Sequence, residues 1–507
     1  MVLVTCALGQ PVAAEAPLSA IDWLSKSLVT PAAQSLPRIN EPAITTPGGA
    51  VPDSVTTTVL GQSSLDAVGV LPSQVTGMPR NLWGLGRSAD IETLLAAEAP
   101  QDLPALQGLL LTLLLAESEP PEDSGAGQAL LLARIDKLLS IGALEQARAL
   151  LDAAGPTASP EIFRRYFDVA LLIGDEDRAC NYLKDAPGLS PAIPTRIFCL
   201  ARAGDFDAAG LTLDTARSLG TLSTEDSDLL ERFMNPDLDE TDISPVLPTP
   251  VTPLTLRLFE AIGEPMPIGT LPVAFSYADL SDNAGWKAQL EAVERLSRAG
   301  ALEPNVLLGL YTSQRPAASG GVWDRVAAFQ KLDIAVSAGD LRAVNQALPA
   351  AWVEMKAAEL EVPLSMLYAD KLAAMPLTGD AGEIAFQMGL LSTDYEALSA
   401  KHVPTTPQQG FLAALARGDL HGQPAPDVVA AAISSAFTDP VIPSDFQAML
   451  DQNRIGEVIL LAMSRIEHGT SGDMRGVTEG LSVLRHIGLE DAARRTALEL
   501  MLLDRRG

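Results

Sequence analysis

Aromatic residues are scarce in this chain: Phe, Trp and Tyr supply 5% of its 507 residues, against 47% for all hydrophobic residues. The apolar mass is therefore mostly Ala, Leu and Val, which favours helices over an aromatic-rich sandwich. Basic charge is short as well. The 35 Lys and Arg face 64 Asp and Glu, for a net charge of -29. That balance repels phosphate backbones and anionic headgroups, so nucleic acid is excluded as a partner. Long hydrophobic runs are also missing. The strongest, Leu103 to Ala116, is interrupted by Pro104, Gln107 and Gly108 and falls short of the roughly 20 residues that a bilayer span needs. It reads as a buried helix, and no membrane span is expected.

The groups that usually carry chemistry are missing in the same way. All four His residues, His402, His421, His468 and His486, lack Cys or acidic neighbours at zinc-ligand spacing, so no metal and no cofactor is expected. There is no G-x-S-x-G elbow and no P-loop, and none of the eight Lys has a Ser three positions before it, which removes the penicillin-binding type of serine site. Gly84-Leu-Gly86-Arg-Ser-Ala89 matches G-x-G-x-x-A formally, but no strand precedes it and no βαβ unit surrounds it. Glu117-Ser118 runs into Glu-Pro-Pro, where the soluble lytic transglycosylases have a Gly-rich run. No catalytic residue is assigned.

The first residues, Met1 to Gly9, form a short apolar run, with Val12 and Ala14 at the -3 and -1 positions of a signal-peptidase site. Residues 1-14 are expected to be a truncated signal peptide, because no Lys or Arg precedes Lys26. A lipid anchor at Cys6 is disfavoured by Thr5. Residues 15-87 read as an extended arm: Pro31, Pro37, Pro42, Pro47, Pro52 and Pro72 are too closely spaced for helices. Two islands interrupt it, an amphipathic stretch around Trp23 and a β-branched run from Val55 to Val59. Trp23 is a candidate partner contact.

What the chain has in abundance is one recurring device: an apolar helical stretch, a Gly, a short polar turn, and an Ala five residues after the Gly. It occurs at Gly142 with Ala147, Gly174 with Ala179 and Gly204 with Ala209, and again around Gly300, Gly339, Gly418 and Gly488. The Gly supplies a left-handed helix C-cap, the following Asp or Glu favours the positive end of the next helix, and the Ala lets the two helices approach. Successive Gly steps of 32 and 30 residues resemble the tetratricopeptide repeat at its inter-helix turn and second helix, though not at its first-helix positions. The resemblance implies an all-α fold, an α-solenoid of helical hairpins. Its expected parts are a first half over 88-242, a Pro-rich linker over 243-253 and a second half over 254-507.

One segment leaves this grammar. Leu310 to Arg325 places an Arg-Pro break at Arg315 and the pair Gly320-Gly321 before a helix led by Trp323. Exposed N–H groups at that helix start, with Arg315 and Arg325 nearby, make Arg315, Gly320, Gly321, Trp323 and Arg325 candidate partner-binding residues. The alternative is a long turn in which Trp323 plugs the core and Arg315 caps a helix end. This stretch and Asp282 to Lys287 also resemble a group of secreted bacterial proteins sometimes labelled antifreeze-related; no Thr-x-Thr ice-binding array accompanies it.

Beyond Cys6, only Cys180 and Cys199 remain. Counted from the turn at Leu189, they lie nearly level on neighbouring antiparallel helices, within reach of a disulfide. The alternative is two buried free thiols. The sequence therefore points to a non-catalytic helical-repeat interaction or scaffold protein, periplasmic or secreted, that binds a protein or peptide partner in the bacterial cell envelope. Two alternatives stand beside it: an envelope enzyme acting on cell-wall glycans, and a cytosolic adaptor.

Overall fold

A computed structural model describes residues 64-98, 102-125, 127-190, 192-235 and 246-503. The signal-peptide residues, Cys6, Trp23 and the Val55 island lie outside the described residues, as do Asp237 to Asp242. Among the described residues the fold is all-α: helices follow one another from Ser73 to Leu502, and the one β-bridge, Leu71 with Ala116, is isolated. None of these helices is long and apolar enough to cross a membrane.

The hairpin device is built as the sequence implies. Gly142, Gly174, Gly204, Gly300, Gly339, Gly418 and Gly488 all have φ between 65° and 89°, a conformation in which Gly alone avoids a Cβ clash. At Gly204 the amide donates to Ala201 O at 3.0 Å and that of Asp205 donates to Leu200 O at 3.0 Å, closing the first helix. The Asp205 carboxylate then accepts Ala208 N–H at 3.2 Å and opens the second. Ala147, Ala179 and Ala209 are fully buried at the helix crossings. The first three hairpins pair Ala129–Ser140 with Leu144–Ala154, Pro160–Ile173 with Glu176–Asp185, and Ile193–Arg202 with Phe206–Ser218.

Cys180 and Cys199 form a disulfide, with 5.2 Å between their Cα atoms. It ties the second helix of one hairpin to the first helix of the next.

The expected arm over 15-87 needs correcting at its end: from Ser64 the chain belongs to the folded body. Arg134 is buried and donates to three carbonyls, Val68 O at 2.6 Å, Leu114 O at 2.7 Å and Ala116 O at 2.9 Å. The Pro spacing points away from helix here, yet a one-turn helix, Ser73–Thr76, follows Pro72 directly, and the spacing carries no sign of the buried guanidinium. Leu82 and Trp83 are buried as well, and their partners lie at the far end of the chain. Gly456 N–H donates to Leu82 O at 2.8 Å and Leu85 N–H to Gln452 O at 3.1 Å. The Gly residues of the formal G-x-G-x-x-A string serve this contact: a Cβ on Gly84 would lie 2.4 Å from the carbonyl oxygens of Gln452 and Asn453.

The helix Pro104–Leu115, buried as expected, packs on Glu490–Leu502. Its first turn is capped from that helix, with Ala105 N–H donating to the Glu499 carboxylate at 2.8 Å. The stack therefore closes on itself. One hydrophobic core runs from Met78 to Ala301 and resumes from Phe386 to Leu500, while a second holds Trp286 to Leu398. The Pro-rich stretch does not divide these cores, since the helix Pro253–Ala261 packs on Pro160–Ile173 and Arg257 donates to Leu171 O at 2.6 Å.

Candidate functional site

The segment singled out from the sequence joins the helix Pro304–Ser313 to the helix Val322–Ser337. The last carbonyls of the first helix are capped by Trp286 Nε1 on Leu310 O at 3.0 Å and by Gln330 Nε2 on Tyr311 O at 2.7 Å. Arg315 takes no part in this. It is exposed and makes no hydrogen bond or ion pair among the described residues. Gly320 and Gly321 are exposed with φ of 93° and 57°, so the backbone itself requires Gly at both positions. Trp323 is half-buried with its ring 5.2 Å from that of Trp286.

Arg325 turns inward. Its Nε and Nη2 each lie 2.8 Å from the Glu294 carboxylate, which also accepts the Tyr311 hydroxyl at 2.6 Å. Glu294 is buried. Burial, with the Glu294 charge behind it, holds the Tyr311 hydroxyl well above its usual range. This is a closed acid–base knot, fully satisfied by its own members. Of the five candidates in the segment, Arg315, Gly320 and Gly321 face solvent, Trp323 is partly covered and Arg325 is committed to Glu294.

A second cluster sits where the first helices meet the C-terminal bundle. Lys137 Nζ donates to Ala96 O at 3.2 Å and to Glu98 O, capping the helix Ser88–Ala97. Burial pulls Lys137 down to about 8, against the pull of Glu98. Glu98 is pushed up to about 7 by burial and then by the Glu467 charge, with Lys137 acting the other way. These groups hold a seam together.

A cleft of about 670 Å³ carries no mark in the sequence. Five stretches converge on it: Val75 to Met78, the helix Pro104–Leu115, the turn Ser297 to Pro304, Glu359 to Met366 at the start of the helix Glu361–Ala373, and Gly488 to Arg495. Apolar ribs are supplied by Val75, 67% exposed, and Met366, 41% exposed. Carboxylates come from Asp102, Glu303, Glu359 and Asp491, and guanidinium groups from Arg298 and Arg495.

No local pattern marks such a convergence, but one signal was available. The turn Met355-Lys-Ala-Ala-Glu359-Leu360 repeats the hairpin geometry with Glu in the place of Gly. Glu359 N–H donates to Lys356 O at 3.0 Å and Leu360 N–H to Met355 O at 2.9 Å, as at Gly339, and φ at Glu359 is 58°.

Comparison with protein-family models, curated proteins and solved structures finds no match. The cleft is therefore interpreted from its own chemistry.

Proposed function

We propose that this chain is a non-catalytic interaction protein of the bacterial cell envelope, exported and holding a protein or peptide partner. The observation that carries this reading is the cleft of about 670 Å³, open to solvent and ribbed by exposed Val75 and Met366. Apolar side chains left in water beside fixed charges are the usual composition of a contact surface. The exposed loop around Arg315, Gly320 and Gly321 offers a second contact surface, with Trp323 at its edge. Trp23 is proposed as a contact in the same way.

The disulfide between Cys180 and Cys199 supports the compartment, because such bonds persist in oxidising surroundings such as a periplasm. The hairpin period supports a tetratricopeptide type of repeat, and stacked repeats of that kind present extended binding surfaces. The strongly acidic chain supports the absence of nucleic acid among its partners.

Fractionation of native cells with thiol labelling, followed by a turnover screen against cell-wall fragments, tests the reading. The expected outcome is protein in the envelope fraction, oxidised at Cys180 and Cys199, with no glycan turnover. Reduced cysteines in the cytosolic fraction would replace it with the cytosolic adaptor, and turnover of wall glycans with the envelope enzyme.

A further inference from the structure

The cleft has a definite chemical character. Of its two guanidinium groups, Arg298 is turned to the carbonyl of Ala358, which it meets at 3.3 Å. Arg495 is half-buried and has no hydrogen-bond or ion-pair partner among the described residues. Of its carboxylates, Asp491 accepts the Tyr395 hydroxyl at 2.9 Å and Asp102 accepts that of Thr470 at 3.1 Å. Glu303 and Glu359 are exposed, and their carboxylates make no hydrogen bond or ion pair among the described residues. Acid outweighs base on this surface, four groups to two.

Ser297 adds an independent observation. It lines the cleft, is 7% exposed, and its Oγ has no hydrogen-bond partner. A buried hydroxyl without a partner costs free energy that a bound donor or acceptor would recover. Glu359 points the same way. Every other non-Gly residue except Asn453 avoids φ > 0 among the described residues, and a left-handed Glu is strained where Gly would not be. The chain carries a carboxylate at the cleft edge in place of the residue its own turn motif prefers.

We propose that this cleft receives an extended basic peptide segment, its Lys or Arg side chains set against Glu303, Glu359 and Asp491 and its apolar side chains laid along Met366 and Val75. The inference rests on the reading of the protein as a partner-binding module and names the chemistry of the partner. Arg495 and Ser297 Oγ meet the polar groups of the peptide backbone. The carboxylates are spread along the surface; among the described residues no three His, Cys, Asp or Glu converge as a metal shell would need. Several spaced cations on one chain suit that layout better than one compact ion. The net charge of -29 draws a basic segment in from a distance, with an on-rate that falls as salt is added.

Fluorescence anisotropy on the full chain tests this with labelled peptides of alternating Lys and Leu, Gln and Leu, or Glu and Leu. The Lys peptide binds and the other two do not. Glu303→Gln with Glu359→Gln weakens binding about tenfold. Glu225→Gln with Asp228→Asn, the same loss of charge on the distant helix Thr224–Met234, changes it less than about twofold. Glu359→Gly raises the melting temperature while weakening the peptide, which a purely structural Glu would not do. Absence of Lys-peptide binding, binding of the Glu peptide, or equal loss in the distant variant overturns the proposal. If a native partner is captured through the Arg315 loop while the Lys peptide fails, the basic-peptide assignment falls and the interaction reading survives.

Discussion

A Cβ on Gly456 would lie 2.4 Å from Cζ3 of Trp83. The indole is buried, its Nε1 donates to Ser118 Oγ at 3.1 Å, and Gly456 N–H is held by Leu82 O. Ring and backbone are thus both fixed, so an added methyl must push the two ends of the chain apart. Gly456→Ala is expected to cost about 1 to 3 kcal/mol in urea unfolding, the usual range for overpacking. Unchanged stability would mean that this closure yields easily.

The two arginines of the singled-out segment should behave oppositely. Arg325→Ala strands the buried Glu294 carboxylate without its fork of donors, and breaking such a pair costs about 3 to 5 kcal/mol. Arg315→Ala removes an exposed group and should stay within about 0.5 kcal/mol. Thermal or denaturant melts of the two variants check both at once.

The contrast explains what the sequence makes legible. Gly142, Gly174 and Gly204 are readable because a left-handed cap is a local backbone demand, written within five residues of the next helix. Cys180 and Cys199 are readable because a short turn sets both at one level. Arg325 is not, since its commitment to Glu294 depends on how two helices cross. The contact of Trp83 with Gly456 leaves no local trace at all, and neither does the cleft. Only Glu359, a charged residue where the motif takes Gly, breaks a rule visible in the sequence.

The seam at Glu98 and Lys137 makes stability depend on pH. The Glu98 carboxyl titrates at about 7 in the folded chain against an ordinary value of 4.5, so the folded state binds its proton more tightly than the unfolded state. The stability this gives is fully present below about pH 4.5 and is lost as pH rises through about 7. Lys137, lowered to about 8, acts in the opposite sense: its contribution is present above its ordinary value and lost as pH falls through about 8. The seam is weakest between those two values. Glu98→Gln should therefore gain on the native chain between about pH 5 and pH 8, by an amount on the order of 1 to 3 kcal/mol. Parallel unfolding curves across that range would contradict the assignment.

Removing the disulfide tests the lock between hairpins. Cys180→Ala with Cys199→Ala should lower stability by about 3 kcal/mol, as expected for a loop of this length. Unfolded, unreduced native protein should show no reactive thiol at either position. Labelling at both would remove the bond and its support for export.

The claim that the protein works by holding a partner in its cleft is tested most directly by photo-crosslinking in cells. A photoreactive side chain is placed at Met366 on the cleft rim, with Leu211, exposed on the helix Phe206–Ser218, as the reference. The account predicts one envelope protein joined at position 366 through a Lys- or Arg-rich stretch, and no such product from position 211. The same products from both positions, or none from position 366, would contradict it.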